Sequence, residues 1–543
     1  LKKKRNIHWF LQIPYKIWNY TIKPTLGIPD FSKIKYTEIQ KQYAQCLEYF
    51  KTNTKKGDED GVLLVQMVED YEFGTKMAAV TKVLAEKNNL RVGFYRVLIN
   101  WITNKNKKKT LTEKLLDKKL IKIYSSFGNK MLFDNNEKFK DEVFIQKKLK
   151  EAIDALDKNN AAGLLNLMFD DIMVGDLIYD TYLRFYHQPT IEKINDDVIH
   201  IIEVALHVFY NFKLFLKNTP VKILVNTYSS YIHHGIPARI CLNQNIDVYT
   251  VGSYSYLVQK LSKEYPYHQI DHSLFSPNKE ITQQKLEIAR DIFTSRFAGK
   301  IDAATSYMRQ SAFSDKKLDP KVKEMFAKEN RNVVLYAHDF YDSPHVNRML
   351  QFPDLYQFLK QTLEALTDLK GTGLFIKTHP NGIKGCKEKT IELVNSFNCK
   401  HFHILDEEVS NLHIIDLKPD LIATARGTVC VEMAYFEIPT VALYDNLYAN
   451  FDFVHTCKNT AAYFAILKGE EKPVIHFDKQ KIYSFYYQAF LEKTVKGVNN
   501  EFEILSSFKG STFSDDYLQL LVSNKDKLFC DTFLGYYTKA LLN

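Results

Sequence analysis

The sequence predicts an α/β protein with two Rossmann-like domains in tandem, a helical N-terminal preface and C-terminal helices. Three observations carry this. Short, nearly continuous apolar runs such as Gly61 to Val68 (GVLLVQMV) have the character of parallel strands buried on both faces. They alternate with helical stretches, which is the pattern of βαβ units. The alternation occurs in two blocks separated by a charged segment from Phe313 to Asn332 that contains Pro320 and reads as a linker.

Residues 1–58 read as a mostly helical extension broken by Pro24 and Pro29. The first Rossmann-like domain spans 59–311. It opens with the strand GVLLVQMV, an acidic loop from Glu69 to Gly74, a helix from Thr75 to Lys87 and a strand from Leu90 to Tyr95. Residues 100–165 read as a lysine-rich helical insertion with a strand at Ile121 to Ser125. Strand VKILVN (Val221 to Asn226), a helix from Pro237 to Asn243 and strand Asp247 to Val251 complete the domain. The second domain, 332–480, contains strands Asn332 to Ala337, Gly373 to Lys377, His401 to Leu405, Asp420 to Thr424 and Thr440 to Leu443. Helices Leu355 to Leu369, Cys386 to Ser396, Asn411 to Leu417 and Thr428 to Phe436 lie between them. Residues 481–543 read as helices packing back on the first domain, with Tyr483, Tyr486, Tyr487 and Phe490 as a packing stripe.

Composition narrows the function classes. At about 150 residues per domain, 543 residues make two to four domains. The 45% hydrophobic and 25% charged content belongs to a folded chain. The most apolar stretch, Val198 to Leu214, is interrupted by His200, Glu203, His207, Asn211 and Lys213, so no membrane-spanning helix is expected. No secretory leader is expected either, and the start at Leu1 suggests a trimmed chain. Seven scattered cysteines with no CxxC pair argue against a disulfide framework or zinc ribbon and point to a reducing cytoplasm. The net charge of +9 is spread along the chain and lysine dominates it. No zinc-finger, RNP-like or basic heptad pattern is present, so no nucleic-acid partner is expected. Lys2 to Arg5 beside Trp9, Phe10 and Trp18 would suit peripheral contact with an anionic inner membrane, although a helix packed on the protein is the plainer reading.

Candidate chemistry lies on loops at the carboxyl ends of the predicted strands, where open parallel sheets bind ligands. After GLFIK come Thr378, His379, Pro380, Asn381 and Gly382; the turn would aim His379 into a cleft as a hydrogen-bond or proton donor to a phosphate. After DLIAT come Arg426, Gly427 and Thr428, a phosphate seat by its fixed charge, its lack of a side chain at Gly427 and the helix start behind it. An N-capped turn is the plainer reading of that triplet alone; the pairing of the two loops is what points to a nucleotide-sugar pocket. No GxxxxGK[ST] or GxGxxG is present, so neither a P-loop nor a standard dinucleotide fold is expected; a metal-held diphosphate more often announces itself with a DxD loop, a case Asp170 and Asp171 do not make, and no metal or cofactor is expected. His338, Asp339, Asp342 and His345 should open on the same cleft, orienting an acceptor. Glu69 and Asp70 follow the first strand, where a general base for an acceptor hydroxyl belongs, and Asp70 is chosen on topology. Asp176, Asp180 and Arg184 in GDLIYDTYLR and Tyr228, His233, His234 and Arg239 in YSSYIHHGIPAR are weaker acceptor candidates.

The segments KTHP (Lys377 to Pro380) and TARGTVCVEMAYFEIPTVAL resemble the C-terminal half of bacterial capsule and lipopolysaccharide glycosyltransferases of the two-Rossmann GT-B type, in particular the Kdo and other ulosonic-acid transferases. YAHDFYDSPH, RFAGKIDAATSYMRQSAF and GDLIYDTYLR are similar to capsule-biosynthesis relatives of that group. The resemblance covers roughly residues 285 to 445. It implies donor-phosphate contact by His379, a phosphate loop at Gly427 and Thr428, and Glu432 anchoring the next helix or touching the donor ribose; Lys377, Pro380, Asn381 and Arg426 join these as donor-site candidates from their place on the two loops. KTHP stands here where many relatives show KPHP, and no acidic catalytic motif is matched. The implied activity is metal-independent transfer of a sugar, such as a CMP-activated ulosonic acid, to a glycan or glycolipid hydroxyl at the cytoplasmic face of the inner membrane. Alternatives are a teichoic-type glycerophosphate or ribitol-phosphate transferase, a sugar-nucleotide epimerase and a non-catalytic glycan-binding scaffold.

Overall fold

The structure, a computed structural model, describes residues 36–542 apart from 54–60, 97–100, 104–110, 129, 135–136, 158–160, 253–257, 270, 306–310, 314–317, 347–349, 381, 407–408, 493–500, 502–503, 506–507 and 509–510. The membrane-contact reading of Lys2 to Trp18 lies outside the described residues.

Two six-stranded sheets form the two domains. The first contains β1 (Val62–Met67), β2 (Arg91–Arg96), β3 (Lys130–Asp134), β6 (Val221–Asn226), β7 (Asp247–Val251) and β8 (Val258–Lys260), while β4 (Met168–Phe169) and β5 (Ile172–Met173) form a separate hairpin. Its order is β3-β2-β1-β6-β7-β8, parallel except for β8. The second contains β9 (Arg331–Tyr336), β10 (Thr372–Lys377), β11 (Phe402–Leu405), β12 (Leu421–Thr424), β13 (Thr440–Leu443) and β14 (His455–Cys457), in the all-parallel order β11-β10-β9-β12-β13-β14. Each is the doubly wound order 3-2-1-4-5-6, so each sheet has a switch point beside its first strand.

The apolar runs form strands because both faces are covered. Val62 and Leu64 of β1 enter one core, whereas Leu63, Val65 and Met67 enter another on the opposite face. In the second sheet Val333, Leu335, Leu374 and Ile376 face one core and Val334 and Phe375 the other. The helix Asp196–Asn218 is long and apolar enough to cross a membrane, yet Val198, Ile201, Ile202, Ala205, Val208, Phe209 and Phe212 are buried in the first domain's core.

Four sequence expectations need correction. Residues 100–165 are not an insertion, because β3 lies within them and forms the sheet's edge. Ile121 to Tyr124 is the last turn of helix Leu111–Tyr124, whose Leu120, Ile123 and Tyr124 are buried at helical spacing in the first domain's core. The segment read as a linker holds helix Pro320–Lys328, whose Val322 and Phe326 pack under the second sheet. Finally, helix Gln283–Ser295 was assigned to the first domain and helix Lys479–Tyr486 begins at the tail boundary. Their Ala289, Phe293, Ile482, Phe485 and Tyr486 share one aromatic core with Cys430, Tyr448 and Phe451, so both complete the second domain. Among the described residues, the tail from Ile504 onward, with Leu505, Leu518, Leu521, Phe533 and Tyr537, lies on the first domain.

Candidate active site at the switch point of the second domain

The helices that follow β9 and β12 pack on opposite faces of the second sheet, so these adjacent strands form its switch point, the place where open parallel sheets bind ligands. His338 lies two residues past β9, His379 two past β10 and Arg426 two past β12. Three cationic or cation-capable groups are thereby brought to one sheet edge by strand geometry alone.

Thr424 Oγ1 is the hub. It lies 2.7 Å from His338 Nε2 and accepts from Gly427 N–H at 3.3 Å. His338 Nε2 also accepts the Arg426 backbone N–H at 3.4 Å, so its neutral ring carries the proton on Nδ1. Burial, with His379 and Arg426 close by, pulls the His338 pKa down to about 3 and holds it neutral. A Cβ on Gly427 would lie 3.0 Å from Thr424 Oγ1, so the turn is closed to a larger residue without moving that hydroxyl.

His379 is depressed below the ordinary histidine range by burial, against the opposing pull of Asp339 and Asp342. Asp339 accepts the backbone N–H groups of Tyr341 (2.8 Å) and Ile383, tying the loop after β9 to the loop after β10. Arg426 extends toward the first domain: its Nη2 donates to Pro344 O at 2.9 Å. Burial lowers its pKa, opposed by Asp445, Asp180, Tyr265 and Tyr448. Asp445 sits in the left-handed region at φ 72°, a conformation an aspartate holds only where surrounding contacts impose it. Tyr448 Oη donates to Gly427 O at 2.9 Å and fixes the turn from below.

Other expected residues lie elsewhere. Lys377 is buried and donates to Val409 O at 2.6 Å, so it braces the sheet edge and does not reach for a donor. Asn381 lies outside the described residues; Pro380 is half-buried beside it. Thr428 occupies the N-cap of the seven-residue helix Val429–Tyr435 without a side-chain cap bond. Glu432 faces the interior, pairing with Arg296 Nη1 at 2.5 Å and accepting Asn411 Nδ2 at 3.2 Å. It anchors its helix, and a ribose contact is excluded by that burial. Asp70 caps helix Tyr71–Lys87: Oδ1 accepts the N–H of Glu72 (2.9 Å) and Phe73 (3.3 Å), and Oδ2 accepts Thr512 Oγ1 at 2.6 Å. A carboxylate committed to three donors is a structural cap, which corrects its assignment as general base. Glu69, on the same loop, is exposed. Tyr228 packs among Phe73, His234 and His268. Arg184 and Asp342 face each other across the domains at 4.0 Å, and His345 pairs with Asp180 of the first domain.

The sequence reading did not identify Thr424, Asp445, His268 or Arg296 as functional or structural centres. Thr424 and Arg296 open the segments TARGT and RFAGK, but nothing there marks their partners, and the others' partners also come from elsewhere in the chain, as in Ser229 N–H donating to His268 Nδ1 at 3.1 Å. Among the described residues one cluster has metal-like composition, Glu142, Glu203 and His207, with ligand atoms within 4.8 Å of one another. There His207 Nδ1 accepts Phe139 N–H at 3.1 Å, which places the proton on Nε2, the atom that would have to ligate.

The fold and site define a class first: two Rossmann-like domains, the second with a basic crevice at its switch point, opposed by the first. This is the GT-B architecture. No family model and no curated protein matches the chain. Among solved structures the chain is similar to KpsC of Thermosulfurimonas dismutans, a beta Kdo 2,4 transferase, at 10% identity over 49% of this chain and 79% of that one, TM-score 0.31. It is also similar to a glycosyltransferase from Rickettsia africae (12% identity, 80% and 95% covered, TM-score 0.24) and to S. aureus MnaA in a co-structure with UDP (11%, 89% and 98%, TM-score 0.21). At such identities and scores, the geometry of this chain's own crevice has to carry its functional reading.

Proposed function

We propose that the chain is a nucleotide-sugar-dependent glycosyltransferase whose donor phosphate lies against His379, Arg426 and Gly427. The observation that supports this is the convergence of three carboxyl-edge loops of the second sheet on one crevice that faces the first domain. In this reading the acceptor hydroxyl attacks the anomeric carbon while the bond to the donor phosphate breaks, and the nucleotide leaves with the electron pair. Arg426, a cation in a poorly hydrated site, and His379 as hydrogen-bond donor stabilise the charge that gathers on that phosphate. With Asp70 assigned to capping, Glu69 is the first-sheet edge carboxylate proposed to take the acceptor's proton. A CMP-activated ulosonic acid as donor, a surface glycan or glycolipid as acceptor and a cytoplasmic location complete the proposal.

Thermal shift with CMP, UDP, GDP and CDP-glycerol tests it. A ligand at 100 times its Kd stabilises by about 2.7 kcal/mol, so CMP should raise Tm measurably, and His379→Ala should abolish that response with the melting profile of the free protein unchanged. No response to any of the four would sink the donor reading.

A further inference from the structure

We infer that Asp180 and His345 form an interdomain positioning pair that couples closure of the two domains to the placement of Arg426. The Arg426 half of this inference rests on the donor site proposed above; the closure half stands on geometry alone.

Asp180 lies on helix Gly175–Tyr186 of the first domain, and His345 lies on the strap that follows β9 in the second. Both side chains are buried. His345 Nδ1 is 2.6 Å from Asp180 Oδ1 and its Nε2 is 2.8 Å from Pro353 O, while His345 N–H donates to Asp180 Oδ2 at 3.3 Å. Both ring nitrogens therefore meet acceptors. A neutral imidazole has one N–H and can serve only one of them; the closed arrangement is satisfied by the imidazolium.

The adjacent residue makes the link to the crevice, because Pro344 O accepts Arg426 Nη2. The chain of contacts runs from the first domain through Asp180, His345 and Pro344 to the Arg426 guanidinium. Further polar contacts bind the same strap: Tyr231 Oη donates to Asp342 at 3.1 Å, Ser343 Oγ donates to Tyr231 Oη at 3.0 Å, and Tyr179 Oη donates to Asp354 at 2.7 Å. Tyr179 and Leu183 belong to the first domain's core, Phe340, Tyr341 and Phe352 to the second's. What joins them here is mainly hydrogen bonds and two ion pairs, Asp180 with His345 and Arg184 with Asp342, the kind of interdomain contact that can open and reclose.

The ionisable groups around His345 are Asp180, Tyr179, Asp354, Arg426 and Asp176, the last neutralised by Arg239 at 2.5 Å. Asp180 and the neighbouring acids raise the His345 pKa against burial. A group whose pKa is raised in the closed form supports closure below its ordinary value near 6.5, and that support is lost as pH rises through the raised value.

Small-angle X-ray scattering of the full chain between about pH 6 and pH 9 reads this directly. The wild type should be compact at low pH and expand as pH rises; His345→Gln and Asp180→Asn should be expanded and far less pH-dependent. Calorimetric titration with CMP should show affinity falling with expansion, about tenfold if the closed population falls to one tenth. A wild-type radius of gyration that is flat with pH overturns the pair, and this arm needs no variant to fold. Expansion with unchanged CMP affinity in both variants overturns the coupling to Arg426. Expansion in a wild type that binds none of CMP, UDP, GDP or CDP-glycerol overturns the donor reading, and the coupling with it, while the closure half is supported.

Discussion

At the scale of single residues, the crevice is held by one hydroxyl. Thr424 Oγ1 meets His338 and accepts the Gly427 N–H, so it fixes both the neutral imidazole and the turn that bears Arg426. Gly427→Ala forces a methyl to 3.0 Å from that oxygen. The expected outcome is a stability loss of about 1–3 kcal/mol in urea unfolding, from overpacking, with loss of nucleotide-induced stabilisation; an alanine variant with wild-type nucleotide response would remove the turn from the site. His379 and Arg426 were readable from sequence because each follows a short apolar strand closely, and carboxyl edges collect ligand groups. Asp180 is legible in GDLIYDTYLR as a weaker acceptor candidate, but its pairing with His345, 165 residues away, and the role of Thr424 beside His338, 86 residues away, are not.

At the scale of elements, Asp70 shows where strand topology stops being informative. It does stand at a carboxyl edge, as the apolar run of β1 requires, but the next residue starts a 17-residue helix whose first N–H groups need an acceptor. Sequence reading cannot see Thr512, 442 residues on, that occupies the other carboxylate oxygen. Asp70→Ala should cost about 1–2 kcal/mol of stability through the lost cap, and leave CMP binding unchanged; a loss of binding at full stability would return Asp70 to the site. Element alternation was legible because buried parallel strands leave continuous apolar runs. The core to which helix Gln283–Ser295 belongs was not, since amphipathic spacing tells which face is buried and not what covers it. Glu432→Ala makes the same point energetically: Arg296 keeps Asp302, but the Arg296 Nη1 and Asn411 Nδ2 donors lose their shared buried acceptor, which should cost about 1–3 kcal/mol in urea unfolding.

Across the whole molecule, the two domains meet through loops unusually rich in buried histidine, and this sets a pH dependence of stability. His233 is pushed to about 4 and His268 and His338 to about 3 by burial; His234 is pushed well below its ordinary value for the same reason. Once unfolded, each titrates near 6.5, so below that pH the unfolded state binds protons the folded state refuses. Each group then removes about 1.4 kcal/mol of stability per pH unit of acidification, down to its folded-state value. His345 acts with the opposite sign, and carboxyls raised by burial, such as Asp339 and Glu432, also gain stability as pH falls through their raised values. A single-residue difference isolates the histidine contribution. In His268→Asn the amide oxygen can still accept the Ser229 N–H, so the variant removes the titrating ring with little loss of structure. Urea unfolding of both proteins between about pH 7 and pH 5 should show the variant losing less stability than the wild type, by about 2 kcal/mol over that range, most of it below about pH 6.5. Parallel curves would mean that His268 takes up a proton in the folded protein, which requires the cleft around Tyr228 and His268 to be wet and open in solution.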